Sequence, residues 1–183
     1  MAASRVPFEA VALLLWLDCD LAAARTAALS PFGRNIGYPV TLSVRVRKRL
    51  GRPELNALHR FSALLPLAEH NDPGALDVRR AALAATGARI LRVLTAAAIG
   101  TLATPPPAAP SMAVALQRAW APGQPQAARL IDAALVLCAD HELDAAALAA
   151  CIAASTGASP NAAVMAALAT GGGLGHIGGC MQA

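Results

Sequence analysis

The chain has 183 residues, enough for one domain with a hydrophobic core. Its composition is 56% hydrophobic but only 3% aromatic, so alanine and leucine supply the apolar side chains, which favours packed helices over a β-sandwich or β-barrel. The formal net charge is +4, and the four cysteines show no Cys-X-X-Cys spacing, which argues against a metal site or disulfide framework and fits a reducing cytoplasm.

The first half of the chain predicts helices joined by loops, with one segment of a different pattern. The apolar run at 10–17 is too short to cross a bilayer and meets Asp18 at once. Residues 38–47 alternate between apolar and polar side chains, which is typical of a strand or an irregular arm. The predicted elements are a helix at 8–24, the strand or arm at 38–47, a helix from Pro53 to about Leu67, a loop at 71–74 and a long helix from Asp77 to Leu102.

The long helix predicted from Asp77 to Leu102 carries apolar side chains at helical spacing, and we expect these to form its buried face. The stripe consists of Val78, Leu83, Ile90, Leu94 and Ile99. A proline-rich connector at 104–110 follows this helix, and no helix is expected to cross it.

The second half of the chain predicts four further helices. Residues 145–175 carry no charge, but Gly157, Pro160 and several polar side chains interrupt the run, which predicts buried helices rather than a membrane span. The glycines between 171 and 175 predict a flexible or tightly turned tail. The predicted elements are a helix at 112–120, a turn at 121–126, a helix at 127–138, and helices at 143–154 and 161–170 that form an antiparallel pair.

Positive charge is concentrated between Arg45 and Arg60, where six Arg and Lys side chains fall in one stretch. Such a run is usually a solvated surface, although it could also attract a phosphate-bearing cofactor or nucleic acid. No aromatic residue is interleaved with these charges, which argues against a nucleic-acid partner. His59 and His70 are expected on the surface or in loops.

Asp140, His141 and Glu142 form a polar triplet inside an apolar, alanine-rich region. Burying three neighbouring titratable groups costs several kcal/mol unless each finds a partner. The triplet is therefore expected either to serve a function or to lie at a rim. An alternative is that His141 is a helix-terminal histidine paired with its acidic neighbours.

The triplet also lies in a segment with a family resemblance. Residues 133–144 read Ala-Ala-Leu-Val-Leu-Cys-Ala-Asp-His-Glu-Leu-Asp and resemble the Ala-Asp-His-Glu-Leu-Asn segment of the citrate synthase family. The resemblance continues through Ala-Ala-Ser-Thr-Gly-Ala-Ser-Pro at 153–160 to Gly-Leu-Gly-His-Ile-Gly-Gly at 173–179. His141 and His176 are 35 residues apart, which matches the family's spacing (176 − 141 = 35).

A second region of resemblance lies near the start of the chain. Residues 7–16 read Pro-Phe-Glu-Ala-Val-Ala-Leu-Leu-Leu-Trp and are similar to a helix of the family's large domain. The resemblance is strongest over 111–179, moderate over 7–21 and weak over 22–60. It implies an all-α fold, in which residues 1–183 form a single, incomplete, citrate synthase-like large helical domain.

The resemblance implies an acyltransferase that condenses acetyl-CoA, or another acyl-CoA, with oxaloacetate to give citrate. It assigns oxaloacetate contact to His141 and a catalytic role to His176, which would donate to the thioester carbonyl as the enol forms. Asp140 and Glu142 would support or orient an imidazole. Acetyl-CoA is then a co-substrate, and neither a bound cofactor nor a metal is expected.

Without the resemblance, His176 would be interpreted as a solvated residue of the tail. After His176 the chain departs from the family pattern. The family's later catalytic histidine, its enolising aspartate and its oxaloacetate-binding arginines have no match here. We therefore expect the chain alone to be inactive and its partner to be a second copy, as a homodimer, or a complementing second chain. The alternative is a non-catalytic, truncated relative that acts as a helical dimerisation or interaction module. Neither nucleic acid nor membrane is expected as a partner, and the expected location is cytoplasmic.

Overall fold

The computed structural model of the chain describes residues 6–27, 48–50, 56–100, 109–139 and 144–172. Within these ranges every regular element is helical, which confirms the predicted all-α fold. Residues 48–50 are helical, and eight helices have both ends described. These are α1 (Phe8–Leu17), α2 (Leu21–Ala27), α3 (Ala57–His70), α4 (Arg80–Ala98), α5 (Met112–Trp120), α6 (Ala127–Leu137), α7 (Ala145–Ser155) and α8 (Pro160–Gly171).

A first buried cluster lies where α1, α4 and α5 meet. Most of its members are alanines, so the helices approach one another closely. The approach is tightest at Gly87 of α4, where a Cβ atom would lie 2.8 Å from the ring of Trp16. A side chain there would force the indole to move, which explains a glycine inside a long helix. The buried members are Phe8, Ala12, Leu13, Ala24, Ala84, Ala88, Ala109, Met112 and Ala115.

A second buried cluster joins α4 to α3. Leu64 of α3 packs with Val93 and Ala97 of α4 and with Leu50, and all four are buried. Because α4 contributes to both clusters, it is the central helix of the described structure. It is also the one described helix that is long and apolar enough to cross a membrane by length and composition. Since it is buried on two sides by its neighbours, we interpret it as a core helix.

Two carboxylates tie distant helix ends together. Glu9 of α1 is buried and accepts a hydrogen bond of 2.7 Å from the backbone N–H of Met112, the first residue of α5. Asp132 of α6 accepts one of 3.1 Å from the backbone N–H of Phe8, the first residue of α1. The first N–H groups of a helix have no partner within it, so each carboxylate satisfies a donor that burial would otherwise leave unpaired.

The helix predicted at 8–24 is wrong as a single element, because it divides at Asp18. The backbone of Asp18 is left-handed (φ 50°), and its N–H donates to the carbonyl of Leu14 at 3.2 Å, which ends α1. Asp20 then accepts a hydrogen bond of 2.8 Å from the N–H of Ala23 and starts α2. Asp18 therefore ends one helix, and Asp20, two residues later, starts the next.

Two predicted helix starts lie a few residues too early. The helix predicted from Pro53 begins instead at Ala57, because Asn56 has an extended backbone and its side chain accepts from the N–H of His59 at 2.8 Å. Asp77 accepts the backbone N–H of Arg79 at 3.0 Å in a turn, which leaves α4 to begin at Arg80. The end predicted at Leu102 is also too late, since α4 ends at Ala98 and Gly100 is left-handed (φ +73°).

Two predictions of burial are only partly correct: Ile90 of the predicted stripe is buried, and α8 of the uncharged region buries Asn161 and Ala163, but the other parts differ. Val78 precedes α4 and is 78% exposed, and Leu83 is 38% exposed, because the helix turns its alanine faces towards α1 and α3. The uncharged region at 145–175 was expected to form buried helices, but α7 has no buried residue. The loop at 71–74, the turn at 121–126 and the helices at 112–120 and 127–138 are confirmed. The strand or arm at 38–47 lies outside the described residues.

The buried Glu9 predicts a pH dependence of stability. Burial raises the pKa of Glu9 above its ordinary 4.5, the hydrogen bond from Met112 opposes this, and the negative charge of Asp132 adds to it. Between pH 4.5 and the raised pKa the folded chain holds more protons than the unfolded chain, so the free energy of unfolding should fall as pH rises. Glu9→Gln keeps an acceptor but cannot ionise, and it should remove this fall in urea titrations at several pH values.

Glu9→Ala is the companion variant. It leaves the Met112 N–H unpaired and should destabilise the fold by about 1–3 kcal/mol at every pH. The pKa of Asp77 is lowered to about 2 by its hydrogen bonds with Arg79, so that group titrates below the window in question. Equal slopes of stability against pH for the wild type and Glu9→Gln would contradict the assignment.

Candidate functional site

The four site residues predicted from the resemblance, Asp140, His141, Glu142 and His176, lie outside the described residues. The structure describes the helices that lead to them. α6 ends at Leu137, where the N–H of Cys138 donates to the carbonyl of Ala134 at 2.9 Å. The helix predicted at 127–138 therefore ends shortly before the triplet in the sequence.

Asp144 starts α7, at the other end of the segment that connects α6 to α7. Its backbone is extended, and its side chain accepts hydrogen bonds from the N–H groups of Ala146 and Ala147, the latter at 3.0 Å. This is the geometry of an N-cap, which aspartate and asparagine form equally well. The family pattern usually has asparagine at this position, so the substitution conserves the start of α7.

α7 and α8 form a hairpin joined by four residues. The turn contains Gly157, whose φ of +84° suits glycine, and Ser159, whose Oγ accepts from the N–H of Ala162 at 3.1 Å. Pro160 occupies the first position of α8, where its lack of an N–H has no cost. The prediction of a packed pair of helices is confirmed. α8 also packs on α3 and α4.

A pocket of about 220 Å³ lies between α3, the loop at 71–74, α4 and α8. Its polar lining residues include Asp72, Thr86, Arg89 and Asn161. Asp72 and Arg89 form an ion pair of 2.8 Å in which the Asp72 side chain is 8% exposed. Thr86 donates to Asp72 at 3.3 Å and accepts from Arg89 Nη2 at 2.8 Å. Sequence reasoning missed this pocket, because a turn residue and a helix residue 17 positions apart carry no shared pattern.

The two described residues near the start of the basic stretch and two histidines lie on the surface. Lys48 and Arg49 are exposed, as expected of a solvated basic stretch, whereas Arg45 and Arg52 lie outside the described residues. His59 and His70 are exposed, as predicted. Among the described residues no group of three His, Cys, Asp or Glu side chains is placed to hold a metal ion.

Comparison with known proteins adds a family assignment to this geometry. The model of the citrate synthase C-terminal domain matches residues 1–183. It therefore covers the region at 22–60, where the resemblance by motif is weak. No curated protein matches the chain.

Substitution of Asp144 tests whether its side chain holds the start of α7, next to the predicted site. Asp144→Ala removes the cap and should destabilise the chain by about 1 kcal/mol, whereas Asp144→Asn should change stability by only a few tenths. Thermal or urea unfolding measures both. If His141 binds a ligand from the adjacent connection, Asp144→Ala should weaken that binding as well, because it loosens the end of the connection. Equal stability of the alanine and asparagine variants would show that the cap does not hold α7.

Proposed function

The chain belongs to the citrate synthase family, and we propose that it carries part of the active site of an acyltransferase that condenses acetyl-CoA, or another acyl-CoA, with oxaloacetate to give citrate. The observation that carries this proposal is the family match over residues 1–183 together with the spacing of His141 and His176. The capped ends of α6 and α7 support it, because they limit the triplet to a short connection between two helices.

The chemistry divides into two tasks. The methyl group beside the thioester must lose a proton to form an enol, and a donor must stabilise the charge that develops on the thioester oxygen. We assign that donor to His176, whose glycine-rich surroundings allow close approach of the backbone to a substrate. The enol carbon then bonds to the keto carbon of oxaloacetate, and hydrolysis of the thioester releases the thiol.

The second task is to hold and polarise oxaloacetate, which we assign to His141. An imidazole donates to a keto or carboxylate oxygen, and a neighbouring carboxylate fixes its tautomer and orientation. Asp140 and Glu142 are the candidates for this orienting role. The family's enolising aspartate and its oxaloacetate-binding arginines have no match in the 183 residues. The proposed reaction therefore needs these groups from residues outside this segment, with which the segment or its homodimer would act.

Calorimetric titration of oxaloacetate tests the proposal. We expect binding to the wild type and a loss of about 10- to 100-fold in affinity for His141→Ala, as expected for one hydrogen bond to a charged group. The matched control is His59→Ala, because His59 is exposed on α3. Absence of binding to the wild type would contradict the proposal, and unchanged binding to His141→Ala would contradict the role of His141. Thiol release from acetyl-CoA, with candidate complementing chains added, then tests turnover.

A second candidate function is a helical interaction module, and one observation favours it. α6 and α7 each expose large apolar side chains, namely Leu130 (72%), Leu137 (79%), Leu148 (45%) and Ile152 (59%). Leu130 and Leu137 are seven residues apart and share one face of α6, and Leu148 and Ile152 share one face of α7. Apolar faces of this kind mark contacts with another subunit or partner.

Sedimentation of the purified chain tests this alternative. We expect self-association of the wild type and its loss in Leu148→Lys/Ile152→Lys, since two charges on the shared face would have to be desolvated in the contact. Leu76→Lys is the control, because Leu76 is 79% exposed in the loop before α4 and not on these helices. A monomeric wild type would contradict the dimer version of this function.

A further inference from the structure

α6 is held more weakly than the other helices that meet at the first buried cluster. None of its residues is buried, whereas α1 and α5 each contain five buried residues. Leu135 and Val136 of α6, and Ala139 just beyond it, pack against the cluster but stay partly exposed. Asp132 adds a polar link of 3.1 Å to the N–H of Phe8. Because local opening begins at elements with few buried contacts, α6 is the helix of this cluster that we expect to open first.

Two carboxylates lie close together where α6 meets the start of α1. Glu9 is in the first turn of α1 and is buried, and it accepts a hydrogen bond of 2.7 Å from the N–H of Met112. Asp132 of α6 accepts from the N–H of Phe8, the residue before Glu9. Burial raises the pKa of Glu9, and the negative charge of Asp132 raises it further. Ionisation of Glu9 therefore places a second negative charge beside the link that holds α6.

The other charged and titratable groups on the elements packed against α1 are exposed or contact other residues. Among the described groups, Asp132 is thus the charge that acts on Glu9. The exposed groups are Asp20 and Arg25 at α2, the pair Asp77–Arg79 before α4, Arg118 of α5 and Arg129 of α6; Arg80 contacts Leu17 and Asp18 at the other end of α1, Cys19 donates to the carbonyl of Leu13, Arg89 pairs with Asp72, and Arg92 lies near Arg89.

Separation of α6 from α1 takes the charge of Asp132 away from Glu9, so the Glu9 carboxyl ionises more readily in the open arrangement. An equilibrium shifts towards the arrangement that binds fewer protons as pH rises. We propose that Glu9 controls the docking of α6 on α1: the helix is held while Glu9 is protonated and opens more often once Glu9 is ionised. Docking is strongest below the ordinary pKa of 4.5 and weakens as pH rises from there to the raised pKa.

The docking of α6 has a consequence for ligand binding that rests on the proposed function. α6 ends at Leu137, and the predicted triplet begins three residues later at Asp140. Opening of α6 releases one end of the segment that contains His141. The affinity for oxaloacetate should therefore fall over the same range of pH in which Glu9 ionises.

Amide hydrogen exchange of the full chain, followed in ¹H–¹⁵N spectra at several pH values from 4.5 upwards, tests the docking. Each rate in the wild type is divided by the rate of the same amide in Glu9→Gln at the same pH, which cancels the intrinsic pH dependence of exchange. Glutamine keeps an acceptor for the Met112 N–H but cannot ionise. Glu69→Gln is the matched control, because it makes the same chemical change on α3.

We expect the amides from Leu135 to Cys138 to exchange faster than the slowest amides of α4, which report global unfolding. Their wild-type to Glu9→Gln ratio should rise by up to about tenfold per pH unit above 4.5 and then level off. Glu69→Gln should behave as the wild type. Asp132→Asn keeps an acceptor for Phe8 without the charge, so it should reduce the rise, and it provides the comparison if Glu9→Gln fails to fold. A constant ratio in α6, or rates in α6 equal to those of α4 at every pH, would overturn the proposal.

Calorimetric titration of oxaloacetate at the same pH values tests the consequence. The affinity of the wild type should fall with pH more steeply than that of Glu9→Gln, in which the histidines titrate in the same way. If the wild type binds no oxaloacetate at any pH, the proposed function is contradicted and hydrogen exchange still decides the docking of α6. Binding of oxaloacetate together with a constant exchange ratio in α6 would contradict this inference alone.

Discussion

Burial of α4 on two sides is the constraint on which the rest of the described structure depends. A helix can be covered on two sides without a large aromatic core only if its neighbours come close, and small side chains allow this. Ala84 and Ala88 face α1, and Ala97 faces α3. Gly87 shows how close the approach is, since the Trp16 ring occupies the space that a Cβ would need. The alanine-rich composition is thus the direct cause of the packing.

The first N–H groups of closely packed short helices need hydrogen-bond acceptors from outside the helix. The two long-range carboxylates accept hydrogen bonds from two of them. Glu9 satisfies the start of α5 and Asp132 satisfies the start of α1, so α1, α5 and α6 are linked by polar contacts as well as apolar ones. A carboxylate also interacts favourably with the positive end of a helix dipole. Glu9 is nevertheless buried, and the raised pKa is the sign that its charge is held at a cost.

The helices whose ends are marked by prolines or capping residues in the sequence were predicted best. α5 was predicted with its observed bounds, because the proline-rich connector precedes it and Ser111 caps it through the N–H of Val114. The break at Asp18 was missed, because a left-handed aspartate inside an apolar run has no strong sequence signature. The stripe predicted on the long helix is only partly correct. Ile90 is buried, but Val78 and Leu83 are exposed, because alanines make most of the contacts with α1 and α3. Periodicity identifies a helix more reliably than it identifies which neighbour the helix will meet.

The candidate site at His141 and His176 stays a prediction from motif and spacing. The buried Asn161, whose Oδ1 atom accepts no hydrogen bond from any described residue, has no such signal in the sequence, because its condition depends on three helices that are distant in sequence. The two features lie on the same part of the chain. α7 has no buried residue and packs mainly against α8, while α8 buries Asn161 and Ala163 against the core. The order of the hairpin that separates His141 from His176 therefore rests on α8. A ligand or partner that binds the folded hairpin and not the unfolded chain stabilises it by mass action.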